Sequence, residues 1–296
     1  MLRDDYRDKI KLRHMSEKTF QAYWPHVEAF CRFHRRGGQW VHPKDMGTPE
    51  VTAWLTHLAV NRSVSASTQT QALSAVLFLY KHVLGMELHG IDAVRAKQPQ
   101  YIPTVMSHDE VKAVLGQLRG VYLLMAQLMY GSGLRLNETM SLRIKDIDFG
   151  RGQIHLIKTK GSKSRITCLA PCLVESLKNQ VEQVRVMHDR DLRSGMARVE
   201  LPGAFERKSP KATSEFRWYY LFPSNVLSVS PHSGKLGRWH LDESNIGRRV
   251  KQAAQKAGIA KRITPHTFRH TFATQIKKTE TYLTPIRGFA QQEPIP

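Results

Sequence analysis

Residues 86–104, MELHGIDAVRAKQPQYIPT, carry two prolines and a glycine and follow neither a helical nor a strand period. Such a stretch ends any element that enters it, because proline removes a backbone donor and glycine loses the most freedom on ordering. It divides the chain into two segments, each of which must bury a core of its own. The 296 residues, 41% of them hydrophobic, suffice for two ordinary domains. The expected division is a first domain over 1–88, a flexible, cation-rich linker over 89–104, a second domain over 105–274 and a tail over 275–296.

The first segment reads as helical. SEKTFQAYWPHVEAFCRFHRRGG has apolar residues at helical spacing and stops at Gly37-Gly38, with Pro25 expected to kink or split the helix. TPEVTAWLTHLAVNR offers Thr48 as N-cap and Pro49 at the first helical position, and TQTQALSAVLFLYKHVLG closes at Gly85. The second segment opens on Ser107-His-Asp-Glu110, a capping box. An apolar helix, VYLLMAQLMYGSG, follows, and LRLNETMSLRIKDIDF reads as a helix running into a short strand. GQIHLIKTKGSKSRITCLA reads as a hairpin about a Gly-Ser turn. The remainder reads as mostly helical, broken by a polar, aromatic-rich stretch at 189–224. The fold class is therefore mainly α with a small β-hairpin or sheet (α+β), in two domains.

Charge narrows the partner. Lys and Arg outnumber Asp and Glu by 45 to 25, a formal charge of +20, and the isoelectric point is near 10.1. Such an excess points to a polyanion, most often nucleic acid. An anionic membrane is the rival, but no long apolar span and no signal peptide are visible. Cys31, Cys168 and Cys172 do not make a disulfide framework, and no Cys/His set has zinc spacing. A reducing cytosol and no structural metal are the expectation.

The chemistry lies in a few cations. His266 and Arg269 in PHTFRHTFAT stand one helical turn apart on one face. Arg offers a bidentate fork to a phosphate, and His moves a proton near neutral pH. Arg135 follows a Gly-Ser-Gly turn, and Lys160 sits at the hairpin tip in KTKGSKSR. Taken singly, these are a helix cap, a solvated tip charge and a structural pair. In this order and spacing, with GLRLNETMSLRIKDIDF and TPHTFRHTFAT around them, they resemble the tyrosine recombinase (phage integrase) family. The resemblance implies that Arg135 and Arg269 clamp a scissile phosphate, Lys160 protonates the departing 5′ oxygen and His266 assists proton transfer. A tyrosine would attack phosphorus. A covalent 3′-phosphotyrosine conserves the bond energy, so no cofactor is implied. It also implies a two-domain clamp on DNA, a helical core-binding domain followed by a catalytic one, acting in a tetrameric synapse.

Residues 188–224, HDRDLRSGMARVELPGAFERKSPKATSEFRWYYLFPS, are similar to the extra segment of integron integrases, which grips a folded single-stranded attC site. The resemblance makes Arg193, Arg198, Arg207, Lys208, Lys211 and Arg217 DNA-binding candidates, and attI-like duplexes and attC-like folded strands the partners. Aromatic and cationic side chains suit base stacking and backbone neutralisation. Tyr220, Leu221 and Phe222 are expected to pack into the core instead.

The tail departs from the family. Arg269 is followed by 27 residues, QIKKTETYLTPIRGFAQQEPIP carries no Leu-Gly-His string, and it reads like the product of a frameshift or internal deletion. Tyr282, 13 residues after Arg269, is the only tyrosine there, and its spacing does not suit a nucleophile. Two readings stay open: a recombinase that cleaves and rejoins DNA for cassette integration and excision, or a catalytically dead remnant that only occupies recombination sites, with synapsis impaired. A basic RNA-binding protein would not need the Arg–Lys–His–Arg set. The expected location is the bacterial cytoplasm, on the nucleoid.

Overall fold

The computed structural model describes residues 1–35, 37–91, 103–157, 164–201, 205–230 and 233–278. Most of the expected linker, Lys160 and Tyr282 lie outside them. The chain forms two compact units, Met1–Tyr101 and Ile102–Pro296. Among the described residues no helix is long and apolar enough to cross a membrane.

The described residues of unit one hold four α-helices: α1 (Leu2–Leu12), α2 (Glu17–Phe33), α3 (Thr48–Val60) and α4 (Ala66–Phe78). Helix α4 continues into a π-helical turn, Leu79–Leu84, which ends on Gly85 at φ +68°. Their apolar stripes meet in a core around Tyr6, Phe20, Phe30, Trp54 and Tyr80. The two buried phenols are satisfied: Tyr6 donates to the Ala75 carbonyl at 3.0 Å and Tyr80 to that of Pro43 at 3.0 Å. Two details differ from expectation. Helix α2 runs unbroken through Pro25, which is exposed, so the carbonyl it leaves unbonded meets water while Phe20, Val27 and Phe30 pack inward. The N-cap of α3 is Gly47 rather than Thr48, because the Glu50 carboxylate accepts from the Gly47 N–H at 2.7 Å.

Unit two begins at α5 (His108–Gly116), where Ser107 and Glu110 cap each other reciprocally. Helix α6 (Gly120–Gly131) is apolar almost all round because it lies at the centre of the core, with Met125, Leu128 and Met129 fully buried. The short α7 (Leu136–Ser141) leads into β1 (Ile147–Asp148), β2 (Gln153–Leu156) and β3 (Arg165–Cys168). These form one antiparallel sheet, in which Ile154 faces Thr167 and Leu156 faces Arg165. Helix α8 (Val174–Arg193) follows, then the one-turn α9 (Phe205–Lys208), the ribbon of β4 (Pro223–Val229) and β5 (Leu236–His240), α10 (Glu243–Lys256) and α11 (Pro265–Lys278).

The stretch expected to interrupt a helical remainder is organised otherwise. Residues 188–193 belong to α8, and a two-stranded ribbon stands where helix was expected. That ribbon hid from a period-2 reading because Val226 and Val229 are 70% and 61% exposed, so it has no regular buried face. Between α8 and β4, Val199, Leu201, Ala212, Tyr219 and Tyr220 build a small core of their own against Val184. Leu221 and Phe222 belong to the main core of the unit, fully buried, as their apolar run implies.

Candidate active site

Gly133 sets the site. Its φ of +63° is a left-handed conformation that glycine alone adopts freely, and a Cβ there would lie 2.3 Å from the Phe272 ring. The turn delivers Arg135 to the N-cap of α7, one turn ahead of Glu138. Glu138 caps that helix: its Oε2 accepts from the Arg135 backbone N–H at 2.8 Å, while its Oε1 accepts from Arg135 Nη1 at 2.6 Å. Arg165, at the first position of β3, donates from Nη2 to Oε2 at 2.6 Å. Arg269 on α11 brings its Nη1 within 3.6 Å of the same oxygen and donates to the Gly133 carbonyl. Three guanidinium groups from three elements thus surround one carboxylate whose side chain is 6% exposed.

Electrostatics follow from that crowding. Burial alone would push the Glu138 carboxyl up, but the Arg135 N–H and the Arg135 and Arg165 guanidiniums outweigh it and hold it below the usual carboxylate range. Arg269 is shifted down from the ordinary arginine value, first by burial and then by Arg135, with Glu138 opposing and Arg165 adding to the shift. Guanidinium remains protonated at neutral pH even so. Three cations against one anion leave a local excess of positive charge, the complement of a phosphodiester.

Arg135 and Arg269 border a cleft of about 680 Å³ lined also by His155, His266 and His270, among others. His266 and His270 are exposed on α11, the first about one turn before Arg269 and the second directly after it. Helix α11 is anchored behind them: Phe268 is fully buried, Thr271 accepts from the Met106 N–H at 3.0 Å, and Tyr130 donates to Gln275 at 2.8 Å. Arg135, His266 and Arg269 therefore converge on one cleft, whereas Lys160 falls outside the described residues, five positions beyond His155 of β2. His155 is a further imidazole in the cleft, its Nε2 buried without a hydrogen-bond partner among the described residues.

The six candidate cations of the 188–224 segment are spread along it. Arg193 donates to the Asp189 carbonyl at 3.3 Å, Arg198 pairs with Glu206, and Arg217 pairs with Glu215 at 2.6 Å. Arg207, Lys208 and Lys211 are exposed. Sequence reading passed over Glu138 and Arg165. The signal for Glu138 was present in LRLNE, where an acid three residues after an N-cap is the partner in a capping box. Nothing local marks Arg165, whose place is set by strand pairing.

A cleft edged by Arg135, Arg269 and His266, on a mainly helical unit with a small antiparallel sheet, has the charge and shape that suit a phosphate ester. Comparison with known proteins is specific. The description "Phage integrase, N-terminal SAM-like domain" matches residues 2–90, and "Phage integrase family" matches residues 104–285. The chain belongs to the phage integrase family, the site-specific tyrosine recombinases. An integrase/recombinase of Escherichia coli is 41% identical over 277 residues, covering 93% of this chain and 81% of that protein. The tyrosine recombinase XerD of Agrobacterium fabrum is 28% identical, covering 89% and 77%. Among solved structures, a lambda integrase dimer bound to a COC′ core site aligns with a TM-score of 0.59 at 15% identity, over 93% of this chain and 85% of that one. XerH bound to its palindromic difH substrate aligns at 0.58 and 18%, over 92% and 73%. At such identities these two share the fold.

Proposed function

We propose that this chain is a recombinase of the integron integrase kind, gripping attI-like duplexes and attC-like folded strands. The observation that carries the reading is the convergence of Arg135, Arg269 and His266 on one cleft, with Arg135 and Arg269 gathered at Glu138. In this reading the two arginines take the non-bridging oxygens of a DNA phosphate, and His266 and Lys160 correspond to the groups that move protons in an active recombinase. Fixed cations of this kind lower a phosphoryl transition state most where its charge develops. The small core between α8 and β4 supports the subfamily, since it holds an extra segment with Arg207, Lys208 and Lys211 displayed to solvent. DNA is the partner, in line with the solved relatives bound to theirs.

Charge stabilisation still needs an attacking oxygen. Among the described residues lining the cleft there is no tyrosine, and we assign no nucleophilic role to Tyr282. The chain then binds recombination sites without opening them, which is the second reading weighed from the sequence. A nicked attC-type trapping strand should give no covalent adduct with the intact chain. An adduct that disappears in Tyr282→Phe would reverse this assignment and make Tyr282 the nucleophile.

A further inference from the structure

Glu138 Oε2 is fully occupied. A carboxylate oxygen offers about two acceptor positions, and here they are taken by the Arg135 backbone N–H at 2.8 Å and Arg165 Nη2 at 2.6 Å. Arg269 Nη1 stands 3.6 Å from that oxygen, outside hydrogen-bond reach, and spends its N–H on the Gly133 carbonyl instead. We propose that Arg165 is a positioning residue that keeps Arg269 off Glu138 and so leaves it open to a phosphate. The inference rests on reading the cleft as a phosphate clamp.

The physical argument is a competition. Arg269 and Glu138 carry opposite charges, the carboxylate is almost completely buried, and a movement of under about 1 Å would turn their 3.6 Å ion pair into a hydrogen-bonded one. An arginine held that way has its fork turned to a carboxylate and less of it to offer a substrate. Arg165 prevents this by holding the second acceptor position of that oxygen. It comes from β3, the strand paired with β2 at Leu156, so its approach is fixed by the sheet rather than by a loop. Arg165 is also near enough to Arg269 to lower its affinity for a proton, and that like-charge repulsion further resists Arg269 moving toward the same oxygen. Arg165 does its work through Glu138, without touching the phosphate itself.

The test uses the full chain and inorganic phosphate, followed through the arginine side-chain N–H signals, so it needs neither DNA nor a nucleophile. Arg165→Met should weaken phosphate binding about tenfold, the low end of what outer-shell partners contribute at metal sites. Arg165→Lys, which still brings a donor and a charge to Oε2, should stay close to the parent. The double variant Arg165→Met/Glu138→Gln removes the trap as well as its guard, and should regain most of the lost affinity. A purely structural Arg165 predicts the opposite order, with the double variant weakest, and that result overturns the proposal. So does an Arg165→Met chain that binds phosphate as tightly as the parent. If the parent chain binds no phosphate, the clamp reading itself fails. Failure to bind DNA alongside normal phosphate binding would leave this inference standing and remove only the proposed function.

Discussion

At the scale of single residues, the site depends on an atom that is missing. Gly133 has no Cβ, and the space one would fill belongs to the Phe272 ring. Its carbonyl also holds Arg269. Gly133→Ala must therefore displace the ring or the turn, at a cost of about 2 kcal/mol or more. Denaturant unfolding should register that loss, and phosphate affinity should fall with it because Arg269 loses its anchor. Glu138 supplies a second expectation, with a definite sign. Its folded pKa lies below the ordinary value of 4.5, so it contributes stability that is complete above 4.5 and is lost as pH falls through the folded value. Thermal melts of the parent and of Glu138→Gln should differ most near neutrality and converge in acid. A difference that stayed constant from pH 7 to pH 3 would show that the carboxylate charge contributes nothing.

At the scale of elements, the segment between α8 and β4 is held by a buried ion pair. Arg238 on β5 meets Asp191 on α8 through two bonds of 2.5 and 2.6 Å, and the two side chains are 6% and 4% exposed. Tyr219 adds its hydroxyl to Asp191 at 3.4 Å. Removing one partner strands the other charge, so Arg238→Met should cost about 3–5 kcal/mol, whereas replacing both by apolar residues should cost far less. Equilibrium unfolding of the two variants checks the ordering. None of this was visible in the sequence, because 47 positions separate the partners and neither lies in a recognisable motif. What was legible had local causes. The capping box at Ser107 and Glu110, the helix end at Gly85 and the apolar run of α6 follow from short-range chemistry, and the structure has all three. Arg135, His266 and Arg269 could be picked out because their spacing is distinctive. Arg165 and Arg238 could not, since each owes its position to which strand lies beside it.

At the scale of the whole molecule, the excess of 20 positive charges sets the terms of binding. Affinity for duplex DNA should fall steeply with salt, with a logarithmic slope of about −0.9 for each phosphate neutralised. Titrations at several salt concentrations measure that slope, and a flat response would remove DNA as the partner. Unit two also has a seam. Residues 142–144 pair with 219–221, through Ile144 N–H to the Tyr219 carbonyl at 3.0 Å and Leu221 N–H to that of Leu142 at 2.8 Å. Between them Arg143, only 8% exposed, donates to the carbonyls of Trp218 at 2.5 Å and Glu200 at 2.7 Å. The extra segment is consequently no detachable cassette. An engineer excising residues 193–217 would also take away the Glu200 carbonyl, leaving the guanidinium underneath with the Trp218 carbonyl and the Tyr220 hydroxyl but without its third partner, a few residues from Arg135 and Glu138. A clean graft would have to rewrite Arg143 together with the segment it serves, moving the two as one part.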